Sequence, residues 1–207
     1  MTLVLASTSP RRYQILSLLH LPFLMVSPEG AEVVTEGHSS AEEALLQARR
    51  KAASLAVRFP EAILIGSDTL ISLEGATIGK PRDLNDARDI LRRLRGRTHE
   101  VVTAVAVVKG DRTVEAVATA QVRMRDYSGA ELEAYLATGD SLDKAGAYSV
   151  QGLGRSLIAG VDGDYLTVVG LPLRAVAEGL KQFGMEVAVD VDRIYREREF
   201  LNWRTFP

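Results

Sequence analysis

The sequence predicts an α/β fold built on a mixed sheet, and three observations carry this. Short apolar runs such as Leu3–Ala6 and Ala62–Leu73 alternate with segments that begin on helix-capping residues. Two β-rich runs, His99–Val108 and Thr113–Arg125, flank Lys109-Gly110-Asp111 as in an antiparallel hairpin, which disfavours a purely parallel, doubly wound sheet. The 207 residues contain no internal repeat or low-complexity linker, which suits one domain or two closely joined lobes.

Taken in order, Leu3–Ala6 reads as a buried strand. Ser9 caps the next helix with Pro10 at its first position, and Ile15, Leu16, Leu18 and Leu19 supply the apolar face. Pro22–Val26 is a second strand, followed by a polar connector around Pro28–Gly37. Ser39 and Ser40, each with a glutamate three residues on, form overlapping capping boxes for a helix running to about Phe59. Ala62–Leu73 is a buried strand interrupted at Gly66-Ser67-Asp68, and a loop through Lys80 leads to a helix over Asp83–Arg95, ended by Gly96. After the hairpin come a helix over Ser128–Thr138, an irregular glycine-rich stretch near Tyr148–Gly154, and a core helix over Pro172–Phe183. The tail from Ala188, with Tyr195, Phe200, Trp203 and Phe206, reads as a docked helix, as a subunit contact in a homodimer, or as a disordered extension.

Composition removes several function classes. The net charge of −2 advertises no nucleic-acid partner, so any anion site must be a local gathering of Lys and Arg. The absence of cysteine excludes disulfides, thiolate zinc sites and Cys nucleophiles, and the three histidines are scattered. No apolar run approaches ~18 residues and the first residues lack a signal-peptide pattern, so a soluble cytoplasmic protein without a membrane partner is expected. "GATIGKP" fails as a P-loop: three residues, not four, separate Gly75 from Gly79, and Pro81 stands where a magnesium-binding hydroxyl is needed.

The candidate chemistry starts with Arg11 and Arg12 at the start of the first helix. A helix N-terminus favours anions, so arginine there is unfavourable by about 0.3–1 kcal/mol unless an anion joins the arginines and the free amides. The Ser7 and Ser9 hydroxyls would add donors; the plain alternative is that both arginines point into solvent. Asp68, expected at the C-terminal end of its strand, can bind Mg²⁺ or accept a proton from water, or be a simple turn residue. Lys51 reads by itself as part of a solvated helix face. Lys80, held extended before Pro81, is a point charge that a ligand could meet. Glu32 is a second candidate carboxylate, and Asp143 and Lys144 read as a local pair. His99 reads as structural, and Gln151 as an amide that either reads a nucleobase edge or satisfies nearby backbone. Together the cations and acids suit a polyphosphate with a divalent cation.

"LASTSPRRYQILSLL", "GSDTLI", "GKPRD", "GRTHEVVTAV", "DKAGAYSVQGLG" and "VVGLPL" follow one another in the order seen in the Maf family, nucleotide pyrophosphatases once called septum formation inhibitors, which this chain resembles from about Leu3 to Phe183. The resemblance implies hydrolysis of a nucleoside triphosphate to the monophosphate and pyrophosphate, using Mg²⁺ or, in its place, Mn²⁺ or Co²⁺. It also implies a strongly twisted mixed sheet flanked by helices, two lobes with a cleft as in inosine triphosphate pyrophosphatases, over residues 1–185, leaving 186–207 as a tail. Carried over by motif, Asp68, Lys51 and Lys80 are catalytic, and Ser7, Arg11, Arg12, Thr69 and Gln151 bind substrate. Glu32 and Asp68 are the metal ligands, although "SPEGAEV" departs from the usual acidic cluster around Glu32. Arg11, Thr69 and Gln151 each resemble the branch acting on dTTP and UTP rather than the 7-methyl-GTP branch, with Arg12, Thr69 and Gln151 as specificity positions. The competing readings are a purine-directed or broad pyrophosphatase and a non-catalytic nucleotide-binding regulator of cell division.

Overall fold

A computed structural model describes residues 1–30, 37–142 and 144–206. Within them the chain runs β1 (Leu3–Ala6), α1 (Pro10–Ser17), β2 (Leu24–Val26), α2 (Ser40–Ala53), β3 (Ile63–Leu73), β4 (Ala76–Ile78) and α3 (Leu84–Leu94). Next come β5 (Thr98–Lys109), β6 (Arg112–Met124), α4 (Gly129–Leu136), β7 (Ile158–Asp162), α5 (Tyr165–Val169), α6 (Leu173–Gln182) and α7 (Val191–Glu197). The strands form one mixed sheet in the order β2-β1-β3-β5-β6-β7, with β4 also on β3. β1 is parallel to β2 and β3, and the remaining pairings are antiparallel. The mixed α/β class expected from the sequence is therefore the one observed.

Side-chain alternation divides the sheet into two faces. Leu3, Leu5, Ile63, Ile65, Val105 and Val107 pack into the larger core, with α1, α3, α4, α5 and α6. Their even-numbered neighbours Val4, Ala6, Leu64, Ala104 and Ala106 meet α2 instead. Ala44, Ala48 and Ala52 recur every fourth residue along α2, giving it a flat stripe that lies close to the sheet. The capping box of Ser39 and Glu42 starts this helix as expected, but it ends at Ala53 and not near Phe59.

Four local expectations are revised. Gly66-Ser67-Asp68 does not interrupt β3, which runs unbroken for 11 residues. Gly66 is there for α2: a Cβ would sit 2.0 Å from the Ala48 carbonyl oxygen and 2.7 Å from the Ala52 nitrogen. The stretch from Glu74 to Arg82 is not simply a loop, because β4 turns back on β3 there. β7 and α5, both short, lie where the sequence pattern announced no element. By contrast, the cap of α1 by Ser9 with Pro10 following, and the turn at Gly110-Asp111 between Lys109 and Arg112, are as expected.

The tail is docked on this same core. Ile194, Trp203 and Phe206 are buried in it, and Trp203 stacks on Tyr165 with ring centres 5.5 Å apart. His99 is structural, as expected: buried in β5, its Nε2 lies 2.7 Å from the Tyr148 hydroxyl. Burial lowers its pKa from the ordinary 6.5 to about 4.

Two outcomes follow from this packing. Gly66→Ala forces α2 off the sheet, so it should cost about 3 kcal/mol, the upper part of the range for overpacking; an unchanged midpoint in urea unfolding would refute the close approach. For His99 the unfolded chain binds a proton below pH 6.5 while the folded chain does so only near pH 4. Stability should therefore fall as pH drops through that window, by on the order of 3 kcal/mol from this one group. His99→Gln should flatten that part of a stability–pH curve, and an identical curve would show that His99 is not the group responsible.

Candidate active site

The strand pairing leaves one opening in the sheet. β1 accompanies β3 only as far as Ala6 opposite Gly66, and β4 joins the same edge from Ile71 onward. Between them, among the described residues, Ser67 to Leu70 have no strand on that edge. β1 also lies between β2 and β3, so the connections diverge there, and ligands in open α/β sheets bind beyond strand ends at such a point. A cavity of roughly 580 Å³ occupies this position.

Because the edge is open, both faces of β3 reach the cavity. Asp68 lies on the α2 face, in the middle of its strand and not at the C-terminal end that the sequence suggested. It does lie two residues beyond the last pairing with β1, which is what places it at the opening. Lys51 projects from the last turn of α2, where a cation also suits the helix dipole. It is not on a solvated face: only 9% exposed, its Nζ donates to Asp68 Oδ1 at 2.6 Å.

Thr69 lies on the opposite face, and there the arginine puzzle resolves in part. Arg12 Nε donates to the Gly170 carbonyl at 2.8 Å, and Nη2 donates to Thr69 Oγ1 at 3.2 Å. Gly170 ends α5, so the cation misplaced at one helix N-terminus lies against the negative end of another. The hydroxyl directions follow from the acceptors. Thr103 gives its proton to the Thr167 carbonyl at 2.7 Å, so Thr69 is the donor in its 3.0 Å contact with Thr103. The lone pairs of Thr69 are then available to Arg12. The left-handed backbone of Gly170 belongs to this arrangement, since a Cβ would come within 3.3 Å of Thr69 Oγ1.

The cavity gathers Ser7, Arg11, Arg12, Lys51, Asp68, Thr69 and Lys80 from separate parts of the chain. Two predicted positions stand apart. Gln151 follows the lining residue Val150 but is not itself among the lining residues; its Nε2 is buried with no hydrogen-bond partner among the described residues. Glu32 falls outside the described residues, as does Asp143.

Sequence reasoning missed Lys144 and Tyr148 as wall residues. Lys144 lines the cavity and lies 3.0 Å from Asp140 Oδ1, a partner the sequence reading did not name. The Gly146 amide donates to the Gly79 carbonyl at 3.1 Å, joining the loop of Lys144 to that of Lys80. Tyr148 follows Ala147, whose φ of 60° is a strained left-handed conformation for a residue with a side chain. Gly146 adds room there, because a Cβ would fall 2.4 Å from Ile71 Cδ1. With Ile71, Val101, Val150, Val168 and Val169, Tyr148 makes an apolar portion of a cavity that is otherwise cationic and hydroxylic. Such a division suits a ligand with a flat or apolar moiety and a polyanionic one.

Among the described residues no group of three or more His, Asp or Glu side chains is placed to hold a metal ion by itself. Among the described residues that line the cavity, Asp68 is the carboxylate, and Mg²⁺ commonly takes one or two carboxylates together with phosphate oxygens and water.

Comparison with known proteins finds relatives over most of the chain. A dTTP/UTP pyrophosphatase of Symbiobacterium thermophilum is 43% identical over 185 residues, covering 89% of this chain and 95% of that protein. Another, from Moorella thermoacetica, is 45% identical over 187 residues, covering 89% and 96%. Among solved structures, the Staphylococcus aureus Ham1 protein overlays with a TM-score of 0.44 at 17% identity, covering 61% of this chain and 73% of that one, a likeness that carries no argument. The family model for Maf-like proteins matches residues 2–183, and with the opening motif, the strand carrying Asp68 and the Gly79–Lys80 loop meeting at one cavity, the chain belongs to the Maf-like protein family.

Proposed function

We propose that this protein hydrolyses nucleoside triphosphates, dTTP and UTP foremost, to the monophosphate and pyrophosphate. The observation that carries the reading is a carboxylate, Asp68, held by Lys51 at 2.6 Å in a cavity whose other walls bring Arg11, Arg12, Lys80 and Lys144. A triphosphate needs such a concentration of cations, and a cavity in a protein of net charge −2 has little other use for one. The substrate choice is supported by the relatives named dTTP/UTP pyrophosphatase and by the Arg12–Thr69 contact, which joins two of the positions that resemblance assigns to base preference.

Water attacks the α-phosphorus and pyrophosphate departs. Asp68 accepts the proton of that water, with Lys51 fixing one carboxylate oxygen and so the direction of the other. Arg11, Lys80 and Lys144 stabilise charge that grows on the phosphoryl oxygens and the leaving group. Arg12, already held by Gly170 and Thr69, lies ready for the substrate without reorganising. The apolar wall at Tyr148 receives the base. A divalent cation, Mg²⁺ first, fits the single carboxylate of Asp68 together with phosphate oxygens, with Glu32 proposed as a second ligand. When bound it would neutralise phosphate charge and acidify water.

Release of pyrophosphate from a panel of dTTP, UTP, dUTP, CTP, ITP and 7-methyl-GTP tests the reading. The expected order puts dTTP and UTP first; preference for 7-methyl-GTP or ITP would overturn the substrate assignment, and binding without release would overturn the enzymatic one. Asp68→Asn keeps an acceptor for Lys51 while removing the base, so turnover should fall about 10²–10⁴-fold in a folded protein. Rates like wild type would remove Asp68 from the chemistry. Lys80→Ala, at an exposed position, should lower kcat/KM for dTTP by about tenfold or more through lost phosphate stabilisation; an unchanged value would take Lys80 out of the site.

A further inference from the structure

The family match ends at residue 183, yet the chain beyond it returns to a loop that adjoins the cavity wall. We infer that this C-terminal segment is a positioning element of the nucleotide site, and that Asn202 is its positioning residue. This rests on the proposed function, and it concerns a part of the chain that the family match does not cover.

Asn202 Nδ2 donates to the Gln151 carbonyl at 2.9 Å. Its backbone has φ of 63°, a left-handed geometry that asparagine tolerates better than most residues with a side chain, and this lies at the start of the turn containing Trp203. From Gln151 the grip passes one step to the cavity wall. Ser149, which lines the cavity, accepts through Oγ from the amides of Gln151 and Gly152, at 3.3 and 3.2 Å. The other end of the loop is held independently: Leu153 N donates to Asp140 Oδ2 at 3.2 Å, and Asp140 also pairs with Lys144. There is no slack at Gly152, where a Cβ would lie 2.4 Å from Asp140 Oδ2. The loop from Ser149 to Leu153 is thus clamped at one end from within the family domain and at its middle by the tail.

The tail is anchored firmly enough to serve as a clamp. Trp203 stacks on Tyr165 at an interplanar angle of 17°, and the Tyr165 hydroxyl donates to the Leu201 carbonyl at 2.9 Å. Tyr165 opens α5, the helix that brings Val168 and Val169 to the cavity and ends at the carbonyl holding Arg12. The same few residues therefore brace two walls of the site. Asn202 is not among the residues that line the cavity, so its effect should appear in binding more than in the chemical step.

The test uses the full chain with Asn202→Asp, which keeps the shape but removes the donor, and Asn202→Gly, which keeps the left-handed backbone but removes the amide. Steady-state kinetics on dTTP are measured beside amide exchange of residues 149–153 and the thermal midpoint. Both variants should raise KM about three- to tenfold, the effect of one lost hydrogen bond, with kcat within about twofold and faster exchange confined to the loop. Unchanged KM with unchanged loop exchange overturns the inference. So does faster exchange throughout the sheet with KM unaltered, which would make Asn202 a stabilising residue only. Wild-type inactivity on every nucleotide would instead refute the proposed function, and loop exchange would still decide the role of Asn202.

Discussion

The buried ion pair between Lys51 and Asp68 is the interaction from which the rest of the site follows. Two charges withdrawn from water at 2.6 Å are costly to bury, and their mutual attraction offsets part of that cost. The pair forms only if α2 lies almost on the backbone of β3. That approach needs the alanine stripe of the helix and the missing side chain at Gly66, two residues before the aspartate. Sequence choices with no chemical function of their own therefore set the position of the chemistry. The capping box at the far end of α2 belongs to the same requirement, since it fixes the first turn of the helix whose last turn carries Lys51.

The opening in the sheet is the second constraint. A strand buried among neighbours on both edges would offer one face to a ligand. β3 loses β1 after Gly66 and does not gain β4 until Ile71, and in that interval Asp68 and Thr69 present opposite faces to one space. The acid and its lysine arrive from one face, while Thr69 and Arg12 arrive from the other. The two arginines at the helix start make sense in this light. Arg12 is stabilised by the carbonyl end of α5, and Arg11 lines the same cavity beside it. The local dipole penalty, about 0.3–1 kcal/mol, is small against hydrogen bonds made by a charged group.

What was legible in the sequence was what short-range chemistry decides. Ser9 with Pro10, Ser39 with Glu42, and Gly110-Asp111 between two β-rich runs each specify their element within a few residues, and each stands where expected. Features set by distant partners were not legible. Gly66 resembles a strand breaker until Ala48 is seen against it, and Lys51 resembles a surface residue until Asp68 is placed beneath it. β4 and β7 are short strands whose pairing depends on longer ones already in place. Lys144 is separated from Lys80 by more than sixty positions, and the bond from Gly146 to Gly79 joins their loops. The ordered motifs brought most of the site together before the geometry did; Gln151, which they also name, is not among the residues that line the cavity.

A site that collects five basic side chains must keep them from repelling one another apart before substrate arrives. Here several are tied to acceptors of the protein's own: Lys51 to Asp68, Lys144 to Asp140, and Arg12 to the Gly170 carbonyl and Thr69. Each tether holds its cation in place, an ammonium or guanidinium being able to donate more than one hydrogen bond at once. The cations are thus positioned before a ligand enters, and electrostatic stabilisation of this kind is effective because little reorganisation is left for the reaction itself. The same reasoning accounts for the near-neutral protein around a cationic cavity. Asp68 and Asp140 each pair with a lysine of the cavity wall and offset its charge, so the cationic lining coexists with a net charge of −2.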